Sequence, residues 1–170
     1  MNRVRANRNT RKGQARWGKC AAQNCYYFGF KLHAIVDPQH KMIVKAHFTP
    51  ANVHDLTALT QFSLDLPFGS CLLADKAYNG KAVQKEIKTQ QGVVLQPIRK
   101  KPKGREMTYM EGDKNTQNAR KRRLVESVFS AFKRYLPAKI DFVKEDTYLL
   151  KIQGFIIAHN LKICFPQYFY

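Results

Sequence analysis

The sequence predicts an α/β domain in which a mixed sheet carries helices on its faces. Three observations predict it. Residues 26–36 and 41–49 alternate apolar and polar side chains, as the two strands of a hairpin do. Residues 71–74 and 93–95 are short, wholly apolar runs that read as strands buried on both faces. Helix-period segments stand between and after them, and strands alternating with helices argue for a sheet covered by helices.

The elements follow in order. Residues 1–24 lack periodicity and read as a basic N-terminal arm, leaving 25–165 as the folded domain. In the first strand Tyr26, Phe28, Phe30, Leu32, Ala34 and Val36 share one parity, and Lys31 and His33 take the other. Asp37-Pro38-Gln39-His40 is a turn signal. In the return strand Met42, Val44, Ala46 and Phe48 face one way, Lys45 and His47 the other, so the hairpin has one buried face. Pro50 ends it. Leu56, Leu59, Ser63 and Leu66 then make a helical stripe over 54–66, closed by Pro67 and Gly69. The apolar run 71–74 stops at Asp75. Asn79 is suited to cap a helix reaching Gln90, with Gly92 at its end. Residues 98–117, rich in Lys, Arg and Gly, read as an exposed loop. A long helix is expected over 118–135, stopped by Pro137. A last helix, 147–163, is apolar almost all round and must be buried against the sheet or a partner. There is no internal repeat.

Charge narrows the function. Among 170 residues, 30 Lys+Arg stand against 12 Asp+Glu, for a net charge of +18. Residues 1–20 hold seven of the basic residues and no acid, and 96–134 hold twelve with four acids. Charge focused in two segments reads as a footprint for phosphates, with nucleic acid the default partner. A solubilising face with a disordered tail is the plainer alternative. A membrane partner is excluded on length: the run 155–161 is flanked by Lys151 and Lys162 and broken by His159 and Asn160, whereas a span needs about 20 apolar residues. Basic residues at the N-terminus have no apolar segment behind them, so a secretory signal is not expected and the chain is assigned to the cytoplasm. Four cysteines without a C-x-x-C pair read as buried thiols.

Two carboxylates stand out. Asp75 closes an apolar run, at the end of a strand where open α/β sheets place their sites. A charge at the rim of a core is costly unless paired or metal-bound, although a turn former ahead of Tyr78-Asn79-Gly80 is the simpler account. Glu126 lies on the long helix, and Arg122, Glu126 and Lys133 fall within roughly 40° of one another on its surface. A solvated Arg122–Glu126 pair is the simpler account here. Two acids on different elements amid excess cations also suit Mg²⁺ held against a phosphodiester. His33, His40, His47 and His54 recur every seven residues, but they fall on two strands, a turn and a helix start, and that spacing is no ligand pattern.

Four segments carry a family resemblance. Tyr27-Phe28-Gly29-Phe30-Lys31-Leu32-His33, Ala51-Asn52-Val53-His54-Asp55, Leu73-Ala74-Asp75-Lys76-Ala77-Tyr78 and Arg122-Arg123-Leu124-Val125-Glu126-Ser127-Val128-Phe129 resemble the DDE transposases of bacterial insertion sequences. The likeness extends over about 16–163. It implies a ribonuclease H-like fold and Mg²⁺-dependent cleavage and transfer of DNA strands, with metal held by three acids. The second acid is matched by Asp75 and the Glu by Glu126. The resemblance also implies DNA-contacting roles for Arg122 and Lys133 near the scissile phosphate, with Lys76 and Tyr78 positioning the strand and the adjacent Arg123 facing DNA. Two positions depart from the pattern: Ala119 stands where many members have Tyr, and Ala77 where they have Gly. Asp37, Asp55 and Asp65 are the acids ahead of Asp75, and none matches the family's first Asp. The expectation is therefore an N-terminally truncated transposase, lacking its first strand and first metal ligand. It would bind element ends and target DNA in the nucleoid without transposition, and a homodimer is left open. The alternatives are a small RNA-binding module, with Tyr26, Tyr27, Phe28 and Phe30 stacking bases, and a ribonuclease H-type nuclease with a different acid set.

Overall fold

The computed structural model describes residues 15–20, 24–97, 108–136 and 144–169. They form five strands and four helices: β1 (Arg16–Cys20), β2 (Cys25–Asp37), β3 (Met42–Pro50), α1 (Asp55–Gln61), β4 (Cys71–Ala74), α2 (Lys81–Gln91), β5 (Val94–Pro97), α3 (Tyr109–Tyr135) and α4 (Glu145–Cys164). The α/β class is as expected. The described strands pair as two sheets, however: an antiparallel meander β1-β2-β3 and a parallel pair β4-β5. Each belongs to its own compact unit, Met1–Val53 with Ser127–Tyr170, and His54–Glu126.

In the first unit β2 and β3 form the expected hairpin. The face of β2 bearing Phe28, Phe30, Leu32, Ala34 and Val36 packs toward a core of Ile43, Val128, Phe132, Tyr148, Ile152 and Ile156. The parity breaks within the hairpin. The register shifts between Ile35 and Val36, which pair with Lys45 and Ile43, so Val44 is the extra residue. A one-residue bulge swaps the faces of a strand. Ile43 therefore enters the core and Val44, expected inside, is exposed. Tyr26, also expected inside, lies beyond the packed rows and is exposed, while Tyr27 is buried. The polar parity is half-covered too: His33 Nε2 meets Thr49 Oγ1 at 2.9 Å, and Lys31 donates to the Val53 carbonyl at 2.8 Å.

Residues 16–20, expected within the arm, are a strand, paired with β2 from Arg16↔Gly29 to Cys20↔Cys25. Five residues containing Gly, Lys and Arg carry no alternation, so the sequence pattern could not show it. Ala15, just before it, is buried and its N–H donates to Glu145 at 3.0 Å; residues 1–14 and 21–23 of the arm lie outside the described residues.

Helix α4 presents Tyr148, Ile152, Ile156 and His159 to the core and leaves Leu150, Ile157 and Leu161 exposed, so it is not covered all round. Its two polar interruptions are core anchors. Asn160 accepts from the Ile43 N–H at 3.0 Å and donates to the Ile43 carbonyl at 2.8 Å, completing the β3 edge at the bulge. His159 is 4% exposed, with the Phe132 and Tyr135 rings each 6.0 Å away. Burial pushes its imidazole below the usual range, toward the neutral form.

In the second unit β4-α2-β5 is a parallel strand-helix-strand, with Ile87, Val93 and Leu95 buried. Gly80, one residue after the expected Asn79, caps α2, and Leu56 methyls would lie 3.3–3.4 Å from a Cβ there. Gly92 closes α2 in the left-handed conformation at φ 66°. Helix α1 stops at Gln61, five residues short of the expected end. The chain continues extended because Gln91 accepts the Leu64 N–H at 2.8 Å and donates to the Phe62 carbonyl at 3.3 Å. Helix α3 begins at Tyr109 rather than 118, so part of the expected loop is helical. That first stretch has no apolar stripe: Tyr109 and Met110 are exposed and the residues after them are polar or Gly. Gln117 donates to Asp113 and Thr116 to the Gly112 carbonyl, both one turn back. The remaining loop residues and the Pro137 stop lie outside the described residues.

Candidate active site

Asp75 directly follows the carboxyl end of β4. The chain then makes one 3₁₀ turn over Lys76–Tyr78, in which the Tyr78 N–H donates to the Asp75 carbonyl at 3.0 Å. This turn holds the acid at the rim of the unit, with its side chain 48% exposed. Arg122 and Glu126 lie one turn apart on α3. The Arg122 guanidinium reaches both acids: Nη1 is 3.5 Å from Asp75 Oδ1, and Nη2 is 3.1 Å from Glu126 Oε1. The simple helical pair and the meeting of two acids are thus one arrangement. Exposed pairs contribute at most about 1 kcal/mol, so the bridge matters as geometry more than as stability.

Tyr78 is half-buried beside this bridge. Burial first, and the charges of Asp55 and Asp75 second, push its phenol up to about 12. At neutral pH it is a hydrogen-bond donor. Asp55 is the first residue of α1, behind His54, whose Nδ1 accepts the Leu56 N–H at 3.3 Å. An acid at a helix start is favoured by the helix dipole alone, so in sequence Asp55 carries no sign of a further role. Its effect on Tyr78 joins elements some twenty residues apart, and no local signal carries it.

The other expected residues fall elsewhere. Arg123 is exposed, about 100° round the helix from Arg122. Lys133 is exposed on the part of α3 that belongs to the first unit. The Lys76 side chain is outside the described residues. The four histidines have separate local partners: His33 lies across from His47, His40 pairs with Asp37, and His54 caps α1.

The donor chemistry suits a hard cation. Mg²⁺ is commonly bound by one or two carboxylates, with waters and substrate phosphates completing its shell. Asp75 and Glu126 supply two. Among the described residues, no three His, Cys, Asp or Glu side chains lie close enough together to hold an ion.

Comparison with known proteins bears on this geometry. Residues 3–161 match the family described as Transposase DDE domain. The chain belongs to the DDE transposase family. A transposase for insertion sequence element IS1106 from Neisseria meningitidis serogroup B is 31% identical over 123 residues, which is 71% of this chain and 40% of that relative. The chain thus matches well under half the length of the curated relative. No solved structure matches it. Among the described residues, no helix is long and apolar enough to cross a membrane.

Proposed function

We propose that the chain is the ribonuclease H-like, catalytic-type domain of an insertion-sequence transposase, that it binds DNA, and that Asp75 and Glu126 hold Mg²⁺ against a phosphodiester. The observation that carries this reading is the single guanidinium that meets both carboxylates, since acids that share one cation are within reach of another. Family membership supports the reaction class. The position of Asp75, beyond the carboxyl end of a parallel strand, supports the fold assignment.

Bound there, Mg²⁺ would supply Lewis-acid stabilisation of the attacking and leaving oxygens. The chain's own residues position the DNA. Arg122 exchanges its carboxylates for a phosphate, a tetrahedral anion two of whose oxygens can accept both arms of its planar fork. Tyr78, held neutral, donates to a strand oxygen. Lys76, Arg123 and Lys133 add charge along the backbone.

On this reading the 170-residue chain binds DNA without transferring strands. The family uses three acids, and among the described residues no third His, Cys, Asp or Glu joins Asp75 and Glu126: Asp37 pairs with His40, Asp65 accepts from the Ser63 hydroxyl at 2.5 Å, and Asp55, whose charge reaches Tyr78, does not complete a group of three. The test pairs anisotropy titrations of labelled duplex DNA with a strand-transfer assay in Mg²⁺. Affinity should fall linearly with log salt, and Arg122→Gln should reduce the slope by about one. No transfer product is expected. Product that disappears in Asp75→Ala would refute the inactive state. Preference for RNA, with Asp75→Ala and Glu126→Ala silent in every assay, would favour the RNA-binding module.

A further inference from the structure

The β1-β2 pairing sets Trp17 opposite Phe28 and Lys19 opposite Tyr26. Alternation puts these four side chains on one face and Gly18 and Tyr27 on the other. The second face is closed. Tyr27 is buried, and Gly18 backs so tightly onto Ala51 that a Cβ would sit 2.2 Å from its carbonyl oxygen. The first face is open. Trp17 is 61% exposed and Tyr26 67%.

The β2 rings of this parity run from packed structure out into solvent. Phe30 stacks on Tyr148 at 6.0 Å inside the core, Phe28 is half-buried and meets Trp17 edge-on at 5.7 Å, and Tyr26 stands in solvent. Trp17 is thus held against a ring that packs on the core, and Tyr26 is fixed by the strand pairing. The Lys19 ammonium lies 6.0 Å over the Tyr26 ring. None of the four side chains is acidic, and residues 1–20 carry seven basic residues and no acid. Large exposed rings beside the Lys19 ammonium complement a partner that is anionic and offers flat aromatic surfaces. Unpaired nucleic-acid bases on their phosphate backbone offer both, whereas a duplex offers phosphates but keeps its base faces within the stack.

We propose that this face of the β1-β2 hairpin is a stacking platform for unpaired bases of single-stranded DNA. The choice of DNA over RNA rests on the function proposed above; the stacking geometry does not. The partner is any segment whose bases are out of the stack, as at a frayed or cleaved end.

Trp17 is the only tryptophan, so its fluorescence reports this face alone. The full chain is titrated with oligo(dT), with a duplex of equal length and with oligo(U), at rising salt. Oligo(dT) should quench Trp17 and keep quenching it at salt that releases the duplex. Tyr26→Leu should weaken oligo(dT) binding, relative to duplex binding, by about 10-fold or more, and Tyr26→Phe should restore it. Equal quenching and equal salt dependence for duplex would overturn the proposal, as would an unchanged oligo(dT) affinity in Tyr26→Leu. Tighter binding of oligo(U) would assign the face to RNA. An emission shift that follows protein concentration without DNA would assign it to self-association. Quenching by oligo(dT) in a chain that binds no metal at Asp75 and Glu126 would retain the platform and remove the metal site; the converse would remove only the platform.

Discussion

Tyr78 ties the candidate site to a measurable ionisation. Its folded-state pKa lies near 12, against an ordinary value of 10.0. Below pH about 10 the phenol is neutral in both folded and unfolded chains, and its contribution to stability is intact. As pH rises from about 10 through 12, the unfolded chain ionises while the folded one resists, and that contribution is lost. Tyr78→Phe removes the effect. Denaturant unfolding at stepped pH should show wild type losing on the order of 1–2 kcal/mol more than the variant across this window. Parallel curves would show that the ring is not held between burial and the two acids. Asn160 makes a second prediction at this scale. Asn160→Leu fits the core by size but strips Ile43 of partners for both backbone groups. It should cost about 1–3 kcal/mol in chemical denaturation. Both acids of the site were legible, Asp75 because an apolar run stopped on it and Glu126 because it shares one helix face with Arg122 and Lys133 amid an excess of cations. Asp55 was not, because its relation to Tyr78 exists only after α1 folds against the turn that follows β4.

The elements divide by how local their cause is. The β2-β3 hairpin, β4 and the body of α4 are written in runs of neighbouring residues, and the sequence located them. The bulge was not visible, because the extra residue Val44 is extra only relative to its partner strand. Nor was the start of α3, where side-chain bonds rather than an apolar stripe support the helix. Strand β1 depends on a close approach that only glycine permits. Gly18→Ala places a methyl against the Ala51 backbone, which cannot turn aside as a side chain would. The substitution should detach β1, seen as a red shift of Trp17 emission, and lower stability by about 1–3 kcal/mol. Gly154→Ala in α4 is the contrast. A Cβ there meets nothing within 4 Å, so this change should stabilise by about 0.5–1 kcal/mol. If both substitutions behave alike in thermal unfolding, the close approach of β1 is not what makes Gly18 necessary.

At the scale of the molecule, charge and fold have separate jobs. The net charge of +18 favours polyanions whatever the topology, and on the proposed function salt should weaken DNA binding steeply. What distinguishes a member of the transposase family from any basic protein is where its few acids sit. The most direct test is therefore Mn²⁺ binding to the DNA-bound chain, followed by electron paramagnetic resonance, with Mn²⁺ standing in for Mg²⁺. The account predicts a class of bound ion that either Asp75→Asn or Glu126→Gln alone abolishes, with the double variant no worse than either single one. Two independent, additive losses, or binding untouched by both substitutions, would mean that these carboxylates share an arginine and nothing more.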